Sequence, residues 1–391
     1  MDFELSKEQK MIQQNVREFM RKEIAPVAED IDREDRFPPG IWKTLGELGL
    51  LGLGISEEYG GTGYNTLTFV LVIEQMARVC PALALSYGAH TNLFGHNLQR
   101  NAGEEQKQKY LPGICSGDLI GCMGLTEPDA GSDAVGIQTT ARLEGDYYIL
   151  NGSKMFITNA PETDVALVYA KTDMEKGAKG ITAFIVEKDF SGFSVSKKIE
   201  KFGNRGSSTG ELIFSDCRVP VENVLGEENK GITVMMAGLD VERAIVAGMP
   251  LGVAETALEL ALKYAKQRNQ FGQPISNFQM IKAKLANMYT EIEAARGLIY
   301  RAAIMTDKAE RGGKGTDLHK IAAAALLFVA EAATRAVNES VQIHGGYGLT
   351  LDYPINRFYR DAKLYEIGAG TSEIRRLIIA DEIIRRGLGY I

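Results

Sequence analysis

The sequence contains few residues that form disulfides or bind metals. Its four cysteines, Cys80, Cys115, Cys122 and Cys217, are scattered without a Cys-x-x-Cys pair. Its four histidines show no ligand spacing with them. Zinc, iron–sulfur and disulfide sites need such clustering, so no metal site is predicted. A reducing, cytoplasmic location follows as the default expectation.

The chain also lacks an excess of positive charge and a long apolar run. Its formal net charge is -7 at pH 7 and its pI is near 5.4, which argues against a sequence-independent nucleic-acid surface. No stretch approaches about eighteen uninterrupted apolar residues, and no basic region followed by an apolar run opens the chain. We therefore expect no nucleic-acid partner and no transmembrane segment.

A chain of 391 residues exceeds the size at which one hydrophobic core keeps growing, so several subdomains are expected. Ser6 and Gln9 have capping-box spacing and open a region of helical periodicity. Short β-rich runs follow, and helical periodicity then returns almost to the end. The pattern predicts an α+β protein, mostly α, with a helical domain over residues 1–118, a β domain over 119–230 and a helical domain over 231–391.

Strands are predicted from runs of β-branched and aromatic residues at 147–150, 164–171, 181–186 and 211–214. Asn151-Gly152 stands between two such runs and predicts a two-residue hairpin turn. Strands that are grouped in the middle, rather than alternating with helices, argue against a doubly wound nucleotide-binding fold. The glycine-rich pieces do not complete the dinucleotide spacing, so a nicotinamide cofactor is disfavoured.

Three residues of little bulk, Gly368, Ala369 and Gly370, stand together near the C-terminus. The glycines can adopt backbone dihedrals closed to other residues, and Thr371 and Ser372 follow with two hydroxyls. This combination suits a cleft that holds a flat cofactor and a branched acyl group. The alternative is an ordinary helix start, in which Gly-Thr-Ser caps the next helix.

Two segments of the β region offer groups that suit a flat heterocycle. The loop 125–133 contains Pro128 and Gly131 and can present N–H and hydroxyl donors around Ser132. Residues 156–158, Phe-Ile-Thr, can stack on and hydrogen-bond the same ring. A plain domain connection and simple core packing are the respective alternatives.

Two segments of the last helical region suit the diphosphate and adenosine of a nucleotide. Arg268 follows a helix, with Gln279 a few residues further on, and arginine can bind a pyrophosphate in forked geometry. Residues 342–346 end a helix with glycines that leave backbone groups accessible. The alternatives are an exposed charge at a helix C-terminus and a helix that simply ends at glycine.

Taken together, these segments resemble the acyl-CoA dehydrogenase family, and the resemblance runs from residue 3 to residue 384 with the motifs in family order and spacing. Within that family the chain is most similar to the isovaleryl-type branch, through residues 85–90, 238–243 and 363–376. The resemblance implies a tetramer whose subunits each have a helical domain, a middle β-barrel-like domain and a C-terminal four-helix bundle. It also implies FAD at the junction of these domains.

The resemblance implies ligand contacts residue by residue. The flavin ring would be contacted by Met123, Leu125, Thr126, Gly131, Ser132, Phe156, Ile157 and Thr158. The diphosphate and adenosine would be met, partly across a subunit boundary, by Arg268, Gln279, Gln342, Gly345 and Gly346, with Thr371, Ser372 and Glu373 completing the FAD site. Coenzyme A and the acyl chain would be contacted by Ser132, Asp240, Val241, Arg243, Ala369 and Gly370.

The resemblance also indicates the catalytic base. Most relatives place a glutamate directly before the Gly-Thr of the last motif, but this sequence has Ala369 there. In the isovaleryl-type branch the carboxylate comes from a helix near the start of the last domain, and the matching residue is Glu242. It would remove the α-proton of an acyl thioester while a β-hydride leaves for flavin N5, and the Ala369 N–H would bind the thioester carbonyl. Glu366 and Glu373 are nearby competitors, and for Glu242 the alternative is a solvated helix face.

Isovaleryl-CoA is the expected substrate, because the small run at 368–370 leaves room for a branch near the thioester. Other substituted acyl-CoAs, of 2-methylacyl, glutaryl or benzylsuccinyl type, and long-chain acyl-CoAs are alternatives. A substrate with a free carboxylate would need a cation, such as Arg100 or another residue. Two departures from the isovaleryl-type pattern, Phe156 for a tryptophan and Thr233 for a tyrosine, affect the expected flavin stacking and ligand contacts.

The electron acceptor that the resemblance implies is electron transfer flavoprotein. An acyl-CoA oxidase would share the flavin site but pass electrons to oxygen, and chains of that family are typically much longer. A non-catalytic acyl-CoA-binding scaffold is the second alternative.

Overall fold

The computed structural model describes residues 4–310 and 317–389. Its N-terminal region is mainly helical, with α1 (Lys7–Phe19), α2 (Ala28–Glu34), α3 (Ile41–Glu47), α4 (Thr66–Ala77), α5 (Pro81–Gly88), α6 (Asn97–Asn101) and α7 (Glu104–Ser116). The capping box predicted for α1 is confirmed, since the Ser6 hydroxyl accepts from the Gln9 N–H and the Gln9 side chain accepts from the Ser6 N–H. Every residue of α4 is buried, so this helix lies at the centre of the N-terminal region.

The middle of the chain forms a single sheet. Its strands are β1 (Gly121–Gly124), β2 (Thr140–Glu144), β3 (Tyr147–Thr158), β4 (Val165–Lys171), β5 (Ile181–Glu187), β6 (Phe193–Val195), β7 (Thr209–Pro220) and β8 (Val224–Leu225). The strand order is β6-β7-β3-β2-β4-β5-β8, and β1 pairs with β4 in parallel. The neighbours β3 and β7, and likewise β4 and β5, run antiparallel.

The predicted hairpin turn at Asn151-Gly152 is wrong, because both residues lie inside the long strand β3. The turn between β2 and β3 is at Gly145, whose φ is 60°. Asn151 instead exchanges two hydrogen bonds with Asp216 on β7. Gly152 stands at a register shift, where an added Cβ would lie 2.6 Å from the Thr139 hydroxyl. The glycine therefore permits close strand approach, which a local turn signal does not distinguish from a hairpin.

The last region is helical apart from a short two-stranded ladder. Its elements are α8 (Gly231–Val246), α9 (Gly248–Gln267), β9 (Asn269–Gln270), β10 (Gln273–Pro274), α10 (Gln279–Glu310), α11 (Leu318–His344), α12 (Ile355–Ala362) and α13 (Ser372–Arg386). Helix α11 packs against α9, α10 and α13, and α4 of the first region packs against α8, α9 and α10. This packing joins the first and last helical regions in one hydrophobic core.

Strand β4 links the sheet to the helices. Leu167 and Tyr169 point to a cluster that includes Val234 and Met235 of α8. The alternate residues Val168 and Ala170 point to a second cluster within the sheet region. One face of the sheet therefore packs against α8, the helix that carries Glu242.

Two helical stretches, Gly231–Gln267 and Leu318–Leu349, are long and apolar enough to cross a membrane by length and composition alone. Neither is an uninterrupted apolar run, so the sequence-based criterion did not single them out. Within the protein, 67% and 61% of their most apolar windows are buried. Core helices of soluble proteins meet the same criterion, so the observation is weak support for a membrane span.

Candidate active site

The loop that carries Ala369 connects α12 to α13 through a 3-10 turn at Lys363–Glu366. Ala369 has a positive φ of 56°, a conformation that costs energy for a residue with a Cβ and requires support from its surroundings. Among the described residues its N–H has no hydrogen-bond acceptor. The Thr371 hydroxyl accepts from the Ile374 N–H and caps α13, so this segment is a helix start as well as a candidate ligand loop.

Two arginines hold the backbone of this loop. Arg375, in the first turn of α13, donates from Nη1 to the Tyr365 carbonyl at 2.8 Å and from Nη2 to the Gly368 carbonyl. Arg243 of α8 donates from Nε to the Ala369 carbonyl at 3.4 Å. The carbonyls therefore face the arginines, and the loop is fixed from two different helices.

Glu242 lies on α8 and is buried, with only 6% of its surface exposed. Its Oε2 has no hydrogen-bond partner among the described residues. Burial raises the pKa of Glu242 to about 7, against the opposing effect of Arg243 and Arg375. Glu242 therefore does not lie on a solvated helix face, and its carboxylate can accept a proton near neutral pH.

The two competing glutamates have different surroundings. Burial opposes ionisation of Glu366, but hydrogen bonds from Lys363 and Thr334 and the charges of Lys363 and Arg335 together outweigh it, so the pKa of Glu366 is lowered. Its carboxylate pairs with Lys363 at 2.6 Å. Glu373 is exposed in the first turn of α13, where backbone and Thr371 hydrogen bonds lower its pKa. Both groups are weaker bases than Glu242.

The predicted substrate residues divide into three groups. Asp240 pairs with Arg243 at 3.1 Å and also with His319 of α11, so Asp240, Arg243 and the loop carbonyl of Ala369 are linked. Val241 instead packs into the hydrophobic core. Ser132 lies on an exposed loop of the middle region. An added Cβ at Gly370 would lie 3.9 Å from Arg243 Nη2, which places this glycine beside the same group.

The predicted flavin loop is tied to β3. The Met155 N–H donates to the Thr126 carbonyl at 2.8 Å. Below this contact, Lys154 forms a buried ion pair with Glu127 at 2.7 Å and also donates to the Leu125 carbonyl at 3.3 Å. Sequence reasoning missed this pair, although Glu127 stands inside the predicted loop 125–133 and Lys154 stands two residues before the predicted segment 156–158. Met123 lies within β1. A Cβ added at Gly131 would meet open space.

Phe156 has unusual geometry for a strand residue. It is 65% exposed and has a φ of 61°, at a register shift between Lys154 and Ile157. Ile157 packs into the sheet core, and Thr158 is half-buried. A large aromatic ring held outward in a strained conformation is characteristic of a binding site rather than of core packing.

Arg268, Gly345 and Gly346 line a separate surface cleft of about 550 Å³. The Arg268 guanidinium lies 5.8 Å from the centre of the Tyr347 ring. Gly345 has a φ of 60°, and a Cβ at either glycine would meet open space. Gln279 and Gln342 are exposed at adjoining helix ends and are not among the cleft-lining residues.

The residues of this cleft, together with Phe156 and Ser372, fit FAD. A cation and accessible backbone groups line a cleft that suits a diphosphate and a base, and Phe156 offers an aromatic surface for a flat ring. The Ser372 hydroxyl is buried without a hydrogen-bond partner among the described residues, so a polar ligand atom can satisfy it. The fold and this chemistry are those of an oxidoreductase that acts on acyl thioesters with a bound flavin.

Comparison with known proteins places the chain more narrowly. Family models for the acyl-CoA dehydrogenase N-terminal, middle and C-terminal domains match residues 6–118, 122–217 and 229–384. The chain belongs to the acyl-CoA dehydrogenase family, whose members are FAD-dependent oxidoreductases acting on the CH–CH group of acyl-CoA. The family, fold, enzyme class and cofactor expected from the sequence are thereby confirmed.

Three similar proteins illustrate the range of relatives. The mitochondrial isovaleryl-CoA dehydrogenase of Pongo abelii is 48% identical over 379 residues, which cover 96% of this chain and 88% of that protein. Butyryl-CoA dehydrogenase from Megasphaera elsdenii is 41% identical with a TM-score of 0.94, covering 98% of this chain and 100% of that one. A structure described as the electron transferring flavoprotein of Acidaminococcus fermentans is 43% identical with a TM-score of 0.95 and the same coverage.

Proposed function

We propose that this acyl-CoA dehydrogenase oxidises a short branched acyl-CoA, with isovaleryl-CoA as the first choice, and that Glu242 is its catalytic base. The observation that carries the proposal is the buried carboxylate of Glu242, whose Oε2 has no hydrogen-bond partner in the part of the chain that the structure describes. It occurs in a chain that has Ala369 where a carboxylate is otherwise expected. Glu242 and the Ala369 loop share the neighbours Arg243 and Arg375.

Glu242 takes the α-proton of the acyl thioester, and the electrons of that C–H bond form the new C=C bond. Arg268, Gly345 and Gly346 would hold the diphosphate and adenosine of FAD, and Phe156 would contact its ring; the flavin would supply the acceptor for the hydride of the β-carbon. The Ala369 N–H donates to the thioester carbonyl and stabilises the negative charge that develops there. Because Glu242 is desolvated, it is a stronger base than an exposed glutamate. It is therefore better suited to remove a proton from a weakly acidic carbon.

The substrate preference is argued from the loop and from the relatives. Ala369 and the flanking glycines place little bulk beside the proposed reaction centre. Arg100, the cation considered for a substrate with a second carboxylate, is exposed in the last turn of α6. We therefore propose a substrate without a second carboxylate. Thr233, which stands where the isovaleryl-type pattern has a tyrosine, is exposed in the first turn of α8. The substitution therefore changes ligand contacts at the surface. The isovaleryl- and butyryl-CoA relatives both support a short acyl chain.

The base is tested by separating proton removal from oxidation. The probe is 3,3-dimethylbutanoyl-CoA, which has α-hydrogens but no β-hydrogen and so cannot lose a hydride. In D2O the holoenzyme is expected to exchange its α-hydrogens, and Glu242→Gln is expected to lose this exchange by at least about 100-fold, the scale of general base catalysis. Glu366→Gln is the matched control and should exchange normally. Exchange by Glu242→Gln at the wild-type rate would refute the assignment.

The substrate and reaction type are tested by anaerobic titration of the holoenzyme with a panel of acyl-CoAs. Bleaching of the flavin by isovaleryl-CoA at lower concentration than by butyryl-, glutaryl- or long-chain acyl-CoA is the expected result. Preference for a straight or dicarboxylic chain would contradict the proposed substrate but leave the base assignment intact. Peroxide formation in air at the rate of turnover would favour an oxidase.

We also propose a homotetramer that passes electrons to an electron transfer flavoprotein. Several large apolar side chains of the last region are exposed on one chain, among them Phe271 at 93% and Ile384 at 81%. Such exposure is typical of a surface covered by other subunits. The cleft beside Arg268 shares no lining residue with the Glu242 group, so a second subunit is well suited to complete the FAD site. Sedimentation analysis checks the tetramer, and a cytoplasmic location stays a prediction.

A further inference from the structure

Among the buried polar atoms of the candidate active site that lack a hydrogen-bond partner in the described residues are Glu242 Oε2 and Arg375 Nε. One is an acceptor on a carboxylate, and the other is a donor on a guanidinium. Arg375 is completely buried, with 0% of its surface exposed. The charge of each residue acts on the other, so the two side chains lie within electrostatic reach.

We propose that Arg375 is a positioning residue that couples the two working groups of the site, because its guanidinium holds the backbone leading to Ala369, and the same loop is bound by Arg243, the residue next to Glu242 on α8. This inference rests on the proposed role of Glu242. It assigns Arg375 no contact with substrate or cofactor.

The first half of the coupling is geometric. A guanidinium is planar and presents its donors in a fixed fork, so hydrogen bonds to two carbonyls determine the relative orientation of both. Arg375 binds the carbonyls of Tyr365 and Gly368, which stand at the start and the end of the turn before Ala369. The Ala369 N–H follows the Gly368 carbonyl directly in the same peptide unit. A hydrogen bond that fixes the Gly368 carbonyl therefore also fixes the direction of the Ala369 N–H.

The second half is electrostatic. The charged and titratable groups that act on Glu242 are Arg243 on its own helix, Arg375 on α13 and Tyr169 on β4. Arg243 is already paired with Asp240 at 3.1 Å, whereas the hydrogen bonds of Arg375 to described residues go to two backbone carbonyls and to no carboxylate. Arg375 is thus the less neutralised of the two cations. A buried carboxylate is stabilised in its ionised form by such a cation.

Two further carboxylates act on Arg375 without removing this role. Glu331 of α11 pairs with Arg376 at 2.6 Å, and Glu366 pairs with Lys363 at 2.6 Å. Each has a closer cation of its own. Loss of the Arg375 charge would therefore leave Glu242 with Arg243 alone.

The test measures α-proton exchange of 3,3-dimethylbutanoyl-CoA by the holoenzyme across pH, below saturation, in Arg375→Gln and Arg375→Lys. Arg375→Gln removes the cation and should move the midpoint of the pH profile up by about one unit, a tenfold loss of exchange on the acid side. Arg375→Lys keeps the charge but loses the fork, so exchange should fall at every pH with the midpoint retained. Arg385→Gln, at an exposed arginine in the last turn of α13, is the matched control and should leave both quantities unchanged.

A lowered rate with an unchanged midpoint in Arg375→Gln would show a purely structural role and overturn the inference. If Arg375→Gln does not retain folded protein and flavin, Arg375→Lys decides alone, and an upward shift of its midpoint overturns the coupling. The proposed function fails differently, through wild-type exchange by Glu242→Gln. An inactive Glu242→Gln with an unshifted Arg375→Gln leaves the base assignment standing and removes only this inference.

Discussion

Replacing Lys154 by methionine is expected to destabilise the loop 125–133, the predicted flavin loop, strongly. The Lys154 ammonium is completely buried and pairs with the carboxylate of Glu127 at 2.7 Å. That carboxylate also accepts from the Gln138 N–H, the Thr139 N–H and the Thr139 hydroxyl. Methionine fills a similar volume but leaves the charge of Glu127 buried without its cation.

The size of the effect follows from burial. Removing one partner of a buried ion pair costs about 3–5 kcal/mol, because the other charge stays desolvated. We expect Lys154→Met to lie at the lower end, about 3 kcal/mol, because three donors still bind Glu127. Lys188→Met is the matched control, since the same substitution breaks a pair with Asp164 in which Lys188 is 53% exposed. A pair that exposed is worth less than about 1 kcal/mol.

The assay is urea unfolding of both variants, followed by circular dichroism and by release of flavin. Lys154→Met should lower the unfolding free energy and release flavin at a lower urea concentration, whereas Lys188→Met should resemble the wild type. The double variant Lys154→Met, Glu127→Gln should be more stable than Lys154→Met alone, because it removes the uncompensated charge. Equal stability of Lys154→Met and Lys188→Met would refute the reasoning.

Two further outcomes are expected. Because burial raises the pKa of Glu242 to about 7 and only the deprotonated base works, flavin reduction at limiting substrate should rise about tenfold between pH 6 and pH 8; a flat profile measured by stopped-flow bleaching would contradict this. Arg268→Gln should weaken FAD binding about 10-fold or more, the cost of a charge-assisted hydrogen bond, whereas Arg385→Gln, an arginine in the last turn of α13, should not. Unchanged FAD affinity of Arg268→Gln, measured by reconstitution of the apoprotein, would place the diphosphate elsewhere.

Part of the candidate site could be predicted from local sequence. The small residues around Ala369 and the hydroxyl of Thr371 predict an unusual turn followed by a capped helix. The structure has the turn, with a positive φ at Ala369, and the cap at Thr371. Arg375 was not recognised, because an arginine in the first turn of a helix is usually solvated and nothing in its neighbours indicates burial. Lys154 was missed for the same reason, since lysine is rarely buried without a partner and the partner is 27 residues away.

The order of helical, β and helical regions was determined by the sequence itself. Periodicity and capping are properties of contiguous residues, so the box at Ser6 and the strand predicted at 164–171 agree with α1 and β4. The tertiary structure decided which polar groups are buried. Asp240 and Glu242 stand two residues apart on one helix, yet the Asp240 side chain keeps 22% exposure, whereas Glu242 is nearly enclosed. Desolvation depends on the loop, strand and helix that cover a side chain, and these come from distant parts of the chain.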